Sequence, residues 1–303
     1  MSVESPSLEL SRPSASIVWL SAIRPQTLTA SLAPVAVGTA LAFKDGTVNW
    51  PIAITALLGA IMIQVGTNFF NDYSDFKKGA DTEDRLGPAR ATQKGWVSPK
   101  QMLVATIIAF ILAGGIGLYL SIVGGWPILL IGIFGILSGL AYTGGPYPLA
   151  YVGLGDLFVM LFFGNAAVCG TYFAQSGQVT TASVLASFAV GALATAILVV
   201  NNLRDRQTDA LANKRTLAVR FGAKFARFEY AIMVFGPYLL VAVASQLDFG
   251  HNGWFLPFIT LPLALYEFKS VLVKDGAALN DHLGGAARLG VLFSLMLAGG
   301  IAL

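Results

Sequence analysis

The chain has 303 residues, of which 55% are hydrophobic and only 12% carry a charge, with a net charge of +3. A water-soluble domain carries about twice that share of charged residues, so the composition indicates an integral membrane protein. The net charge is too small to indicate a polyanionic partner, and no basic-aromatic pattern predicts nucleic-acid binding. The one cysteine, Cys169, excludes an intramolecular disulfide.

Apolar runs long enough to cross a bilayer recur along the whole chain. We predict an all-α bundle of about nine transmembrane helices around a central cavity, forming a single domain over residues 1–303. Residues 1–16 are polar and are expected to be a disordered tail. The predicted spans are 27–43, 51–70, 101–121, 126–143, 152–174, 181–203, 229–246, 253–268 and 286–303.

The basic residues predict how these spans are oriented. If the N-terminus is cytoplasmic, all of the 19 Lys and Arg residues except Lys44 fall on the cytoplasmic side. The sequence therefore predicts a multi-pass protein of the cytoplasmic (inner) membrane. Its two charged loops, 71–100 and 204–228, are expected to face the cytoplasm.

Each of these loops opens on a group of oxygen-bearing side chains that follows an apolar span. Residues four apart share one helix face, so each group predicts a column of ligands at a helix end. The shared register, 130 residues apart, indicates an internal duplication, and such repeats often bracket a site; a chance match is the alternative. The groups are Asn71, Asp72, Asp75 and Asp81 in the first loop, and Asn201, Asp205 and Asp209 in the second.

Stacked carboxylates repel one another unless a cation lies between them. Mg²⁺ prefers oxygen ligands and takes one or two carboxylates together with waters and substrate phosphates. Two facing columns therefore predict two Mg²⁺ ions bridged by a diphosphate, and nearby cations would hold the diphosphate as it leaves. The predicted diphosphate-binding residues are Lys78, Arg90, Lys94, Arg204 and Lys214.

The alternative is that the loop charges are solvated and pair with each other, which we expect of Arg220 and Arg227. Zinc is not expected, because His251 and His282 are far in sequence from both acidic groups and from a cysteine.

Four stretches carry a family resemblance. NDYSDFKKGADTEDRLGPARATQKGWVSP and NNLRDRQTDALANKRTLAVRFG resemble the two signature loops of the UbiA-type intramembrane prenyltransferases. AIRPQTLTASLAPVAVGTALAF and AYTGGPYPLAYVGLGDLFVMLFFG are similar to the menaquinone branch of that superfamily. The resemblance covers most of the chain to about residue 228, and the last three spans carry little signature. The sequence departs from the superfamily pattern at one position, where Gly79 replaces the final Asp. Asp81 is therefore expected either to be the displaced metal ligand or to support the ligands without contacting the metal.

The resemblance implies Mg²⁺-dependent transfer of an isoprenyl chain from a polyprenyl diphosphate to 1,4-dihydroxy-2-naphthoate. Carbon dioxide would be lost from the attacked position, giving a demethylmenaquinone-type product. The donor's tail would lie among the helices, in a tunnel open to membrane lipid, with its diphosphate at the cytoplasmic mouth.

The resemblance also implies roles for particular residues. Asp72, Asp75, Asp205 and Asp209 would act through the metal. An aromatic face can stabilise an allylic cation, and Tyr142 is the first candidate, followed by Tyr147 or Tyr151. The candidate acceptor-binding residues are Arg24, Asn68, Tyr147 and Asp156.

Two alternatives stay open at this point. The acceptor could be 4-hydroxybenzoate, homogentisate or a tetrapyrrole, because acceptor-pocket residues cannot be told from packing residues in one sequence. An ion transporter would also use intramembrane carboxylates, but both acidic loops are predicted on the same side of the membrane. The sequence predicts neither the tail length nor the oligomeric state.

Overall fold

The computed structural model describes residues 13–80, 86–247 and 252–303, and every regular element within these ranges is helical. Nine of the described helices are long and apolar enough to cross a membrane, which confirms the predicted all-α, nine-span architecture. The helices are α1 (Ala15–Ile23), α2 (Pro25–Lys44), α3 (Trp50–Lys77), α4 (Pro99–Gly124), α5 (Trp126–Thr143), α6 (Gly155–Ser176), α7 (Thr181–Arg204), α8 (Arg206–Leu211), α9 (Leu217–Leu247), α10 (Asn252–Val273) and α11 (Gly276–Ala302).

Several helices extend beyond the apolar runs that predicted them. Helix α3 continues to Lys77, so Asn71, Asp72 and Asp75 lie inside the helix. Helix α9 begins at Leu217 rather than at 229, with a kink at Gly222 (φ 83°). A hydropathy pattern ends where polar residues begin, but a helix continues wherever its backbone hydrogen bonds do. Helix α1 was not predicted at all: the tail expected over residues 1–16 is already helical from Ala15 in the described part of the chain.

Side-chain N-caps stabilise the first turn of three of the membrane-spanning helices. The Asn49 side chain accepts a hydrogen bond from the Ile52 amide at the start of α3. Ser98 with Gln101, and Thr180 with Ser183, form reciprocal capping pairs at the starts of α4 and α7. These caps satisfy amides that would otherwise lack partners at helix N-termini.

The bundle packs around α7, two thirds of which is buried. Helices α6 and α7 touch through their backbones at Gly164 and Gly191, where a Cβ on Gly164 would lie 2.8 Å from the Cα of Gly191. Such close approach is how helices associate inside a bilayer, where apolar side chains gain little from leaving lipid. Residues of α2 to α7 line a large cavity.

Candidate active site

The cavity has a volume of about 760 Å³, with a polar end and an apolar remainder. Its polar end is lined by both predicted acidic groups, apart from Asp81, which lies outside the described residues. Apolar and small residues line the remainder, down to Leu120, Ile128 and Ala174. The prediction that the two groups face one shared chamber therefore agrees with this geometry.

One ammonium group joins the two acidic groups. The Nζ of Lys214 lies 3.9 Å from Asp75 Oδ2 and 3.8 Å from Asp209 Oδ1. Arg90 adds a second cation, with its Nη2 3.6 Å from the same Asp75 oxygen. Asp75 and Asp209 are both buried, so carboxylates from separate helices converge on one cation position that is shielded from bulk water.

This donor set fits Mg²⁺. In the described parts of the chain, no three His, Cys, Asp or Glu side chains are already gathered around a metal position. Magnesium does not need such a cage, because it takes one or two carboxylates and completes its shell with water and substrate phosphates. Asp75 and Asp209 supply carboxylates of that kind, and a diphosphate in the cavity would supply the remaining oxygens.

Asp72 lies close to Asp75 in sequence but has a different environment. Its Oδ2 accepts a hydrogen bond from the Ala91 amide at 3.1 Å, and its Oδ1 accepts one from the Thr92 amide at 3.2 Å. Both oxygens of this buried carboxylate therefore anchor the loop that carries Arg90. The predicted metal-ligand role of Asp72 competes with these two bonds, and loop anchoring describes its contacts better.

Asn71 ties the first acidic group to the end of α5. Its Oδ1 accepts a hydrogen bond from Thr143 Oγ1 at 2.8 Å. The carbonyl of Thr143 in turn accepts hydrogen bonds from Ser74 and from the Lys78 ammonium. Lys78 thus holds the backbone of α5 from outside the cavity wall, rather than facing a diphosphate as predicted.

Tyr151 completes the surroundings of Asp75. Its hydroxyl donates to Asp75 Oδ1 at 3.0 Å, and the ammonium groups of Lys78 and Lys214 lie 4.8 and 5.1 Å from the centre of its ring. Burial lowers the pKa of Lys78, nearby Asp75 opposes that effect, and Lys214 adds to it. The sequence indicated Tyr151 only as an aromatic candidate and gave no sign of its bond to Asp75.

The second acidic group is organised by Arg204. Its Nε and Nη2 donate to the two oxygens of Asp205 at 2.8 and 2.6 Å, and Nη2 also donates to Asn201 Oδ1 at 2.8 Å. Helix α7 ends at Arg204, so the column predicted through Asp209 is interrupted at Asp205, although the Asp209 amide still donates to the Asp205 carbonyl. Arg204 is 3% exposed and holds protein oxygens, whereas the sequence predicted that it would hold a diphosphate.

Arg24 and Asn68 form a second polar unit in the cavity wall. Arg24 joins α1 to α2 with a left-handed backbone (φ 56°), and its Nη2 donates to the Asn68 carbonyl at 3.4 Å. The Asn68 amide group donates to the Ile23 carbonyl and to Thr27 Oγ1, both at 2.8 Å. Asn68, predicted to contact the acceptor, instead braces the turn that carries Arg24.

This contact gives a testable expectation for stability. Replacing the buried Asn68 by Ala leaves the Ile23 carbonyl without its donor, a loss of about 1–3 kcal/mol. We expect the melting temperature of the detergent-purified protein to fall by several degrees. Gln64→Ala is the matched control, because Gln64 makes only a 3.4 Å bond to Asn68. Equal melting temperatures for both variants would contradict the bracing role.

The remaining predicted residues are divided between the cavity and the surface. Tyr142 lines the cavity, with its hydroxyl 3.2 Å from the position of a Cβ on Gly155. Asp156 is buried behind this wall, and neither of its oxygens has a hydrogen-bond partner among the described residues. Lys94 is exposed, and Tyr147 is 80% exposed, which places both side chains away from the chamber.

Arg220 is exposed and Arg227 pairs with the exposed Asp275, as expected of surface charges, and both also donate to backbone carbonyls. Arg220 donates to the carbonyls of Val152 and Arg215, which joins the loop carrying Tyr151 to the loop carrying Lys214. Arg227 donates to carbonyls at the end of α10. Both contacts join segments distant in sequence, so no local pattern could have predicted them.

The fold and the cavity together define an intramembrane enzyme for a substrate with a charged head and a long apolar tail. The charged end supplies carboxylates and cations, and the apolar end lies among membrane-spanning helices. The chain belongs to the UbiA prenyltransferase family, whose sequence profile matches residues 31–282.

Named relatives are similar over almost the whole chain. The 1,4-dihydroxy-2-naphthoate octaprenyltransferase of Escherichia coli (strain K12) is 35% identical, with 93% of this chain and 94% of that enzyme covered. The enzyme of the same name from Bacillus subtilis (strain 168) is 32% identical over 92% of this chain and 93% of that enzyme. A solved UbiA homologue from Archaeoglobus fulgidus, bound to GPP and Mg²⁺, shares the fold with a TM-score of 0.67 at 19% identity, covering 94% of this chain and all of that one.

Proposed function

We propose that this protein transfers a prenyl chain from a polyprenyl diphosphate to 1,4-dihydroxy-2-naphthoate, with Mg²⁺ and with loss of carbon dioxide. The observation that carries the proposal is the shared chamber in which Asp75 and Asp209 face one cation position. Beyond that position the chamber is apolar, as a prenyl tail requires. The choice of acceptor follows the named relatives, which are similar along nearly the full chain.

Magnesium at this site would neutralise the diphosphate as it leaves. Two groups of oxygen-bearing side chains line the chamber, so we propose that two ions would bind there and complete their shells with water and substrate oxygens. Their proposed protein ligands are Asn71, Asp75, Asn201, Asp205 and Asp209. Asp72 is left out because backbone amides of the loop hold both of its oxygens, whereas the bonds to Asn71, Asn201 and Asp205 come from side chains.

The protein's own residues account for the rest of the chemistry. Lys214 and Arg90 hold the diphosphate, because their cations already lie against Asp75 in the chamber. The bond between the allylic carbon and the diphosphate oxygen breaks, and its electron pair leaves with the diphosphate. The Tyr142 ring lines the same chamber and stabilises the resulting cation through its π face.

The acceptor ring then forms the new carbon–carbon bond at the carbon that bears the carboxylate. The pair of electrons in the bond to the carboxylate returns to the ring, and carbon dioxide leaves. Arg24 lines the chamber at the end of α1, and we propose that its guanidinium pairs with the acceptor carboxylate. The apolar side chains that line much of the cavity limit the access of water to the cation.

The positions of the charged groups favour an enzyme over an ion transporter. A transport pathway needs charged or strongly polar groups through the middle of the membrane, whereas the charged side chains that line this cavity all lie at one end and neutral side chains line the rest. The distribution of Lys and Arg supports placing the polar end at the cytoplasmic face of the inner membrane.

A comparison of acceptors tests the proposed function. Purified protein with MgCl₂ and octaprenyl diphosphate should release diphosphate and carbon dioxide when given 1,4-dihydroxy-2-naphthoate. It should give little product with 4-hydroxybenzoate or homogentisate. Product from 4-hydroxybenzoate with none from the naphthoate would assign the protein to another branch of the family. Absence of diphosphate release with every acceptor would overturn the enzyme assignment.

A further inference from the structure

Asn280, at the start of the last span, lies between the two halves of the candidate active site. Its Oδ1 accepts a hydrogen bond from Arg204 Nη1 at 3.0 Å. Its Nδ2 donates to the carbonyl of Leu86 at 2.9 Å. One side chain of α11 therefore connects two loops that are far from it in sequence.

Both partners of Asn280 lead directly to proposed ligands. Arg204 holds Asp205 and Asn201 through three hydrogen bonds. Leu86 begins the segment that leads to Arg90, whose guanidinium lies beside Asp75.

The segment after Leu86 also packs against Arg204 itself. A Cβ on Gly87 would lie 2.8 Å from Arg204 Nη2, so only glycine allows this approach without displacing the guanidinium. The Asn280 amide thus closes a ring of contacts around a buried arginine that holds the second acidic group.

A chain of hydrogen bonds through the buried His282 fixes the position of Asn280 along the bundle. His282, one residue beyond Asp281 on the same helix, contacts Glu267 Oε2 through Nδ1 at 2.7 Å and Lys274 Nζ through Nε2 at 2.6 Å. An ammonium group can only donate, so Nε2 accepts and Nδ1 carries the hydrogen toward Glu267. His282 and Glu267 are 3% and 4% exposed, so these bonds fasten the beginning of α11 to α10.

We propose that Asn280 is a positioning residue for the active site. It acts through Arg204 and the Leu86 carbonyl, and it aligns the second acidic group with the loop that carries Arg90. The last span, which carries little family signature, thereby sets the geometry that receives a magnesium diphosphate. The role in turnover rests on the proposed function, whereas the alignment of the two halves can be measured without any acceptor.

The test compares Asn280→Ala with the unaltered protein by calorimetric titration with inorganic pyrophosphate in MgCl₂. Loss of a hydrogen bond to a charged partner should weaken magnesium pyrophosphate binding about tenfold. In the transfer assay, kcat should fall by a similar factor, while the KM for the acceptor stays unchanged. Asp281→Asn is the matched control, because Asp281 follows Asn280 on the same helix and is exposed like it, but makes no bond to Arg204 or Leu86; this variant should leave both measurements unchanged.

A second variant separates positioning from mere folding. Asn280→Asp keeps an oxygen that accepts from Arg204 but replaces the donor to the Leu86 carbonyl by an acceptor, so it breaks the link between the two halves and should weaken pyrophosphate binding as Asn280→Ala does. A purely structural role would lower the melting temperature of both variants and leave the affinity of the folded protein unchanged, which would overturn the proposal. Because pyrophosphate binding needs no acceptor, the proposal can fail while naphthoate prenylation stands, and the reverse is also true.

Discussion

Replacing Asp75 or Asp209 by Asn is expected to abolish prenyl transfer and to leave the helix bundle folded. Each carboxylate faces the position shared with Lys214, and each amide substitute would contribute one neutral oxygen where charge on the diphosphate must be balanced. Loss of electrostatic stabilisation at a dry site costs roughly a thousandfold in kcat. The measurement is diphosphate release with octaprenyl diphosphate, alongside the melting temperature in detergent.

Asp72→Asn is the contrasting variant, because it changes the other aspartate of the same helical turn. One of its two oxygens becomes an NH2 group, which cannot accept from the Ala91 or Thr92 amide that it faces. We therefore expect a lower melting temperature and a smaller loss of activity than for Asp75→Asn. If Asp72→Asn is inactive with an unchanged melting temperature, Asp72 is a metal ligand and the loop-anchoring interpretation fails. If Asp75→Asn keeps activity within tenfold, the convergence at Lys214 is not the catalytic centre.

The spans could be predicted from sequence because the bilayer fixes both their length and their composition. The C-terminal end of α3 and the N-terminal start of α9 could not be predicted, since both helical segments continue with polar residues beyond the hydrocarbon layer. Helix α1 was missed because it is short and lies next to a polar tail. Hydropathy reflects the solvent around a residue, so it does not indicate where a helix ends once the helix has left the lipid.

The acidic groups could be predicted because residue type and four-residue spacing are local properties. The separate roles of the individual residues in these groups could not be predicted. Asp72 and Asp75 occur in one helical turn, yet one holds a loop and the other faces the chamber. Arg204 likewise resembles a diphosphate ligand in sequence, but Asn280 and Asp205 occupy its donors in the structure. Such roles depend on contacts between distant segments, which a single sequence does not record.

Leucine in place of Gly117 or Gly132 is expected to shorten the usable length of the cavity. Both glycines line it, and a Cβ at either position meets no atom within 4 Å, so the larger side chain would project into open space. Along the helical rise, Gly132 lies roughly 16 Å from Thr143 at the polar end. Gly59, which faces Ile116 beside Gly117, lies roughly 24 Å from Asp75 on the same basis.

The two substitutions should therefore discriminate among donors by length. With octaprenyl diphosphate we expect kcat/KM to fall at least about tenfold for both variants, because the tail of the bound donor would have to leave the cavity. With geranyl diphosphate neither variant should differ from the unaltered protein. Donors of intermediate length should lose activity with Gly132→Leu before they do with Gly117→Leu, since the first obstruction lies nearer the polar end.

Gly115→Leu is the matched control for these variants. Gly115 is on α4 with Gly117, and a Cβ there would also have no atom within 4 Å, but Gly115 is exposed on the outer face of the helix. A leucine there meets lipid and favours the helix, so activity with every donor should be retained. Equal losses at Gly115 and Gly117 would indicate a general effect on α4. If Gly132→Leu keeps full activity with octaprenyl diphosphate, the tail must leave the bundle sideways between the polar end and Gly132. A tail that continued along the cavity would meet the new side chain.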